Sequence, residues 1–115
     1  MKAVFVELPA FKKRRSIYLT DSDFHSLQEE LMRNPNVGER IPGAGGLRKM
    51  RFRDPRRGKG SRGGLRIIYY YWNAGSEFWL FTLYDKDEAA DLTSDQRKEV
   101  KRLIKAEISK RNKRS

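Results

Sequence analysis

The sequence has no cysteine and a single histidine, His25, among its 115 residues. Without cysteine the chain has neither a disulfide framework nor a thiolate nucleophile. One histidine cannot form a histidine-based metal site or an imidazole acid–base pair. His25 lies beside the apolar stripe of a predicted helix, so we expect a partly exposed helix residue and not a catalytic one. We therefore expect no metal and no cofactor.

Long apolar runs are also missing. No stretch approaches the roughly 18 apolar residues that a membrane span needs, and the N-terminus lacks a signal-peptide pattern. The expectation is a soluble cytoplasmic protein with no membrane partner. A length of 115 residues with 37% hydrophobic content suits one domain, residues 1–115. Its last segment, about 109–115, is polar and basic and is expected to fray.

Positive charge is abundant. The chain has 26 lysines and arginines against 15 acids, a net charge of +11. A bland explanation is that this charge only aids solubility, but it is clustered: residues 48–66 hold nine basic residues and one acid, Asp54. Clustered positive charge favours binding to a polyanion, but charge alone does not show which chemical class of polyanion is bound.

Hydrophobic periodicity predicts one α+β domain. An apolar helical stripe follows Thr20, a helix-capping residue type, and ends at Asn34-Pro35, while Thr93 and Gln96 fit a capping box before a second helix. The strand candidates are residues 2–8, 46–53, 64–73 and 77–85. The order β-α-β-β-β-α predicts a mostly antiparallel four-stranded sheet packed with helices. A further short helix at 10–16 and an extended piece at 39–42 are left open.

Four basic residues from separate segments are the candidate catalytic groups. Strand alternation puts Lys49 and Arg51 on one side of their strand and Met50 on the other. Arg66 begins the next strand, and Lys86 follows the last one. If the strands are in register, these four cations converge on one face of the sheet. Like charges across neighbouring strands are destabilising, so such a cluster favours a bound phosphate over idle surface.

A basic connection, residues 53–64, joins two of the strands. Its glycines allow close approach of a phosphate chain, and its cations supply counter-charge without reading sequence. It lacks the spacing and the following helix of a nucleotide-binding P-loop. Most aromatic residues nearby are expected in the core, with Trp72 a further stacking candidate. The predicted nucleic-acid-binding residues are Arg48, Arg53, Arg56, Arg57, Lys59, Arg62, Tyr70 and Tyr84.

The order of "GLRKMR", a basic loop, "GLRIIYYYW" and "FTLYDKDEAADLTSDQR" resembles the RelE/ParE superfamily of bacterial toxins, most closely its HigB-like, ribosome-dependent mRNA endonucleases. The resemblance covers nearly the whole chain. It implies a RelE-like α+β fold, cleavage of mRNA in the ribosomal A site, and a HigA-like helix-turn-helix antitoxin. Operator DNA would be bound only through this antitoxin. The resemblance also implies catalytic roles for Lys49, Arg51, Arg66 and Lys86, whereas Leu92 stands near the place of a family tyrosine.

The chemistry follows from residue types as well. RNA is cut when its 2′-OH attacks the adjacent phosphate, and Arg66 is suited to hold that phosphate bidentately and to stabilise its developing charge. A lysine among other cations loses its proton more readily, so Lys49 or Lys86 is a candidate general base or acid. Asp85 or Asp87 is an alternative base. A ParE-like inhibitor of DNA gyrase and a non-catalytic RNA-binding or ribosome-binding module remain competing functions.

Overall fold

The computed structural model describes residues 2–53, 64–85 and 93–114, without the side chains of residues 96, 113 and 114. The predicted strand and helix order is confirmed, and 9–18, where a short helix was left open, forms a helix of ten residues. The elements are β1 Val4–Glu7, α1 Pro9–Tyr18, α2 Asp21–Arg33, β2 Glu39–Arg40, β3 Arg48–Phe52, β4 Leu65–Trp72, β5 Glu77–Asp85 and α3 Ser94–Arg114.

The sheet has five strands in the order β1-β5-β4-β3-β2, with β1 parallel to β5 and every other neighbouring pair antiparallel. It therefore exceeds the predicted four strands by β2. Only Glu39 and Arg40 form this strand, opposite Lys49 and Arg48. Two residues are too few to display the alternation by which a strand is recognised from sequence.

Helices α1 and α2 cover one face of the sheet. Thr20 and Asp23 form a reciprocal capping box at the start of α2, which adds the Asp23 contact to the predicted Thr20 cap. Phe11 of α1 and Leu27 and Leu31 of α2 are fully buried against the apolar side of β3, β4 and β5. His25 stays on the solvent side of α2 and pairs with Glu29 at 2.7 Å.

Helix α3 covers the opposite face and makes the domain a three-layer sandwich. Ile104 is buried there, with Val100 and Ile108 packed beside it. Leu103, the residue before Ile104, is 44% exposed. Val100, Ile104 and Ile108 are four residues apart and lie along the line where α3 contacts the sheet. Leu103 lies to one side of that line. Over the described residues, no helix is long and apolar enough to cross a membrane.

Residues 109–115 were expected to fray, and in this structure α3 continues through Arg114. Arg111 accounts for this extension. Its guanidinium contacts Glu107 at 2.7 Å and Glu77 of β5 at 3.1 Å, and it lies 4.6 Å from the ring centre of Trp79. One side chain thus ties the polar end of the helix to the sheet.

Candidate functional site

Strand register brings three of the four candidate catalytic cations to one face of the sheet. The Cα atom of Arg51 is paired with that of Arg66, which is paired in turn with Tyr84 on β5. Lys49 is two residues from Arg51 on β3 and therefore shares its face. This is the face covered farther along by α3. Lys86 lies outside the described residues.

Among the cavities formed by the described residues, none is lined by more than one of these three cations. Lys49 lines a cavity of about 120 Å³, and Arg51 lines a separate one of about 470 Å³ that extends toward α2. The Nη1 atom of Arg66 lies 3.4 Å from the carbonyl oxygen of Leu65. Because β2 pairs only with Arg48 and Lys49, β3 is the sheet edge at Arg51, whose side chain is exposed.

The cavity beside Lys49 is built by four parts of the fold. Its lining residues come from β2 and the loop after it, from the middle of the sheet, and from the first turn of α3: Glu39, Arg40, Ile41, Pro42, Lys49, Ile68, Tyr84 and Arg97. Three of these residues are cations and one is an acid. Arg97 has a buried Nε atom with no hydrogen-bond partner among the described residues, and its Nη1 atom makes a long contact of 3.4 Å to the carbonyl of Pro42.

The predicted RNA-binding residues do not all lie on the face of Lys49. Arg48 lies on the other face of β3, and its Nη1 donates to the carbonyl of Gly38 at 2.7 Å. Arg53 is exposed and lines the 470 Å³ cavity with Arg51. Arg48 also lines a third cavity, of about 390 Å³, with Arg40 and Tyr70. Four of the predicted residues, Arg56, Arg57, Lys59 and Arg62, lie outside the described residues.

The aromatic candidates are mostly held by protein contacts. Tyr84 is only 9% exposed, although it reaches the 120 Å³ cavity. The ring of Tyr70 packs on Trp79 with 4.9 Å between ring centres, and burial raises the pKa of the Tyr70 hydroxyl, opposed by nearby Arg40. Trp72 packs against Trp79 and lies under Arg111. The rings of Tyr70 and Trp72 thus pack against Trp79, and each side chain is only partly exposed.

The alternative bases are less well placed where they can be described. Asp85 is 1% exposed and is paired with Leu65, whose side chain lies in the core beneath α1 and α2. The carboxylate therefore lies on the face opposite Lys49 and Arg66. Asp87 and Leu92 lie outside the described residues.

Among the described residues, no group of three or more acids or histidines could hold a metal ion. The guanidinium and ammonium groups on this face are suited to binding an anion and stabilising negative charge, and a lysine or tyrosine there is suited to proton transfer.

No family model matches the sequence. Solved structures do. One match is a variant of the Escherichia coli toxin RelE, in the free state, in which two arginines are replaced by alanine. Its TM-score is 0.54 and its identity 18%, covering 87% of this chain and 99% of that one. The isolated E. coli RelE toxin gives 0.51 and 14%, covering 89% and 99%. A chain in the structure of the intact E. coli RelBE toxin–antitoxin complex gives a TM-score of 0.52 and 13% identity, covering 78% of this chain and 100% of that one.

The chain has the RelE fold. The fold class expected from the family resemblance is thereby confirmed. Within this RelE fold, Lys49, Arg51 and Arg66 occupy one face by strand register, as described above.

Two cations of the 120 Å³ cavity, Arg40 and Arg97, were missed by the reasoning from sequence. Arg97 had a signal: it precedes Val100 by three residues and Ile104 by seven, so it continues the apolar stripe of α3 toward the sheet. A cation in phase with an apolar stripe is a candidate for a buried role. Arg40 lies in the segment 39–42, where an extended piece was left open, but its strand of two residues is too short for alternation to show which way its side chain faces.

Proposed function

We propose that this protein is the toxin of a type II toxin–antitoxin pair, a ribosome-dependent endoribonuclease of HigB-like type that cleaves mRNA in the A site. The observation that carries the proposal is the shared face of Lys49, Arg51 and Arg66. The RelE fold and the net charge of +11 support it, because the fold neighbours are toxins and the charge suits a polyanionic substrate.

The reaction needs no group from outside the chain. A base removes the proton of the 2′-OH, the oxygen attacks the adjacent phosphorus, and the bond to the 5′-oxygen breaks to leave a cyclic phosphate. Arg66 and Arg51 stabilise the additional negative charge on the phosphate oxygens. Lys49 and Lys86 are the proposed proton-transfer residues, one removing the proton and the other returning one to the 5′-oxygen.

Ribosome dependence fits this set of groups. Without an imidazole pair the proposed site has only poorly matched acids and bases at neutral pH, so it depends on a substrate that is already held in a reactive geometry. The separation of Arg51 from Lys49 in the free protein points the same way, because a bound RNA chain has to draw both side chains toward one phosphate.

The proposed partners follow from the same assignment. One neighbour is the RelBE complex, a toxin bound to its antitoxin, and we propose a HigA-like helix-turn-helix antitoxin for this chain, with operator DNA bound only through it. The proposed place of action is the cytoplasm, where ribosome and mRNA occur together.

The test compares Arg66→Ala with a matched control, Lys13→Ala, an exposed cation of α1 in the other layer. Purified protein is added to a translating extract, and mRNA cleavage is mapped by primer extension. We expect the wild type and Lys13→Ala to cut translated mRNA and to leave free RNA largely intact. Arg66→Ala should lose at least about 100-fold in rate while melting like the wild type.

Two results would contradict the proposal. Absence of cleavage by the wild type, with translation still inhibited, would favour a non-catalytic ribosome-binding module. Inhibition of DNA gyrase by both the wild type and Arg66→Ala would favour the ParE-like alternative, which does not use the basic face.

A further inference from the structure

Arg97 is an incompletely bonded guanidinium at the wall of a cavity. Its Nε atom is buried without a hydrogen-bond partner among the described residues, and the Nη1 contact to Pro42 is long, at 3.4 Å. Buried polar groups in folded proteins are nearly always bonded, and a charged donor left without an acceptor is costly. The described residues therefore leave part of the hydrogen-bonding capacity of this guanidinium unused, at a side chain that lines a cavity.

The charges around Arg97 indicate which ligand that is. Arg40 and Lys49 line the same cavity, and Glu39 is the one acid among its described lining residues. The described side chains that line the cavity thus carry a net charge of +2, from three cations and one carboxylate. Tyr84 adds a hydroxyl group to the lining. An anion with several oxygen acceptors fits this set of donors best.

The size of the cavity restricts the anion. Its volume is about 120 Å³, and a water molecule needs roughly 10–15 Å³ measured with a water-sized probe. The space accommodates the oxygens of one phosphate group and a few waters. It is small against the roughly 300–1,000 Å³ of ordinary small-molecule pockets, so a whole nucleotide does not fit inside.

We infer that Arg97, with Arg40, binds one backbone phosphate of the RNA in this cavity, next to Lys49. The inference deepens the proposed function and rests on it for the identity of the RNA. It makes α3 part of the substrate site and not only a cover for the sheet. Arg97 is then a positioning residue, which holds the RNA chain so that the adjacent phosphate reaches Arg66 and Arg51.

The direct test observes the Arg97 side chain in the wild-type protein. The ¹H–¹⁵N signals of arginine Nε groups are followed by NMR during titration with inorganic phosphate. We expect the Arg97 signal to shift and saturate. Arg102 is the internal control, because it lies on the same helix and its Nε already donates to Glu99 at 3.2 Å. Its signal should stay in place.

The second arm measures binding of a short single-stranded RNA to Arg97→Ala, Arg97→Lys and the control Arg102→Ala. Removal of a charge-assisted contact should weaken binding by about ten-fold in Arg97→Ala. It should also lower the slope of log affinity against log salt by about 0.7, the value for one phosphate on a single strand. Arg97→Lys keeps the charge and should recover part of the affinity, and it replaces Arg97→Ala if that variant does not fold.

An unmoved Arg97 signal, or equal RNA affinity of Arg97→Ala and Arg102→Ala, overturns the inference. Failure of the proposed function leaves a different pattern. The wild type would then fail to cleave mRNA in the translating extract, while the Arg97 signal would still respond to phosphate.

Discussion

Arg51 and Arg66 stand directly opposite each other on β3 and β4, with their Cα atoms paired across the antiparallel ladder. Like charges in this relationship repel, and each such pair contributes unfavourably to the stability of a sheet. The repulsion is reduced by solvent at exposed Arg51 and by the contact of Arg66 with main-chain carbonyls. A bound phosphate would remove it altogether, which connects a local instability of the fold to the proposed site.

We predict that Arg51→Ala is at least as stable as the wild type, with a free energy of unfolding higher by about 0.2–0.5 kcal/mol at low salt. Urea denaturation measures this difference, and high salt should diminish it because screening weakens the repulsion in the wild type. Lys13→Ala controls for the general effect of removing one charge. A clear loss of stability in Arg51→Ala at low salt would show that Arg51 makes a net attractive contact.

Much of the fold was predictable from sequence because its signals are local. Helix α2 combines a capping residue, Thr20, with an apolar stripe whose members Leu27 and Leu31 are fully buried. The β4–β5 hairpin has long apolar strands joined by residues 73–75, with Ser76 in the left-handed region at φ 50°. Such features depend on a few neighbouring residues and are visible without the rest of the chain.

The rest depended on contacts between distant segments. Nothing near Arg111 in sequence reveals that it reaches Glu77, 34 residues away, and so extends α3. The same holds for the candidate site: alternation identified the face of Lys49 and Arg51, but their separation into two cavities follows from where β2 ends. The alternation of apolar and polar residues predicts which face of a strand a side chain is on. It does not predict which residues of the neighbouring strands lie beside that side chain.

A second prediction concerns pH and the buried hydroxyl of Tyr69. It donates to the carbonyl of Pro35 at 2.8 Å and accepts from the N–H of Gly38 at 3.0 Å. Burial raises the pKa of Tyr69 above its usual value of 10.0, opposed by the Gly38 hydrogen bond and by Arg48. Below pH 10 both the folded and the unfolded chain keep this proton, so the stability contribution is complete there.

As the pH rises above 10, the unfolded chain loses the Tyr69 proton while the folded chain retains it, so the free energy of unfolding must fall. Tyr69→Phe should show a shallower fall with pH. It should also be less stable by about 1–3 kcal/mol at neutral pH, because the buried Gly38 N–H loses its acceptor. Urea denaturation over a pH series measures both effects.

Tyr71→Phe is the control for Tyr69→Phe, since Tyr71 is partly buried and its hydroxyl contacts Asn73 at 3.3 Å. Lysine titration is common to all three proteins and cancels in the comparison. Equal pH dependence of Tyr69→Phe and the wild type would mean that the Tyr69 hydroxyl does not couple to folding.

The third prediction concerns the anchor at the end of α3. Arg111 is 21% exposed, pairs with Glu77 and Glu107, and lies 4.6 Å from the ring centre of Trp79 and 5.5 Å from that of Trp72. Each ion pair this near the surface contributes little to the free energy of unfolding, but the guanidinium of Arg111 also covers two aromatic rings. We expect Arg111→Ala to lose about 1–2 kcal/mol of unfolding free energy.

The matched control for Arg111 is its neighbour Lys110, which is 66% exposed and contacts only Glu107 among the described residues, at 3.6 Å. Lys110→Ala removes the same charge and should change stability by less than about 0.5 kcal/mol. Hydrogen exchange supplies the local readout: amides of the last two turns of α3 should exchange faster in Arg111→Ala, while those around Ile104 keep their protection. If both variants exchange alike, Arg111 is not what holds this end of the helix, and its contacts with the two tryptophans contribute no more than an ordinary surface ion pair.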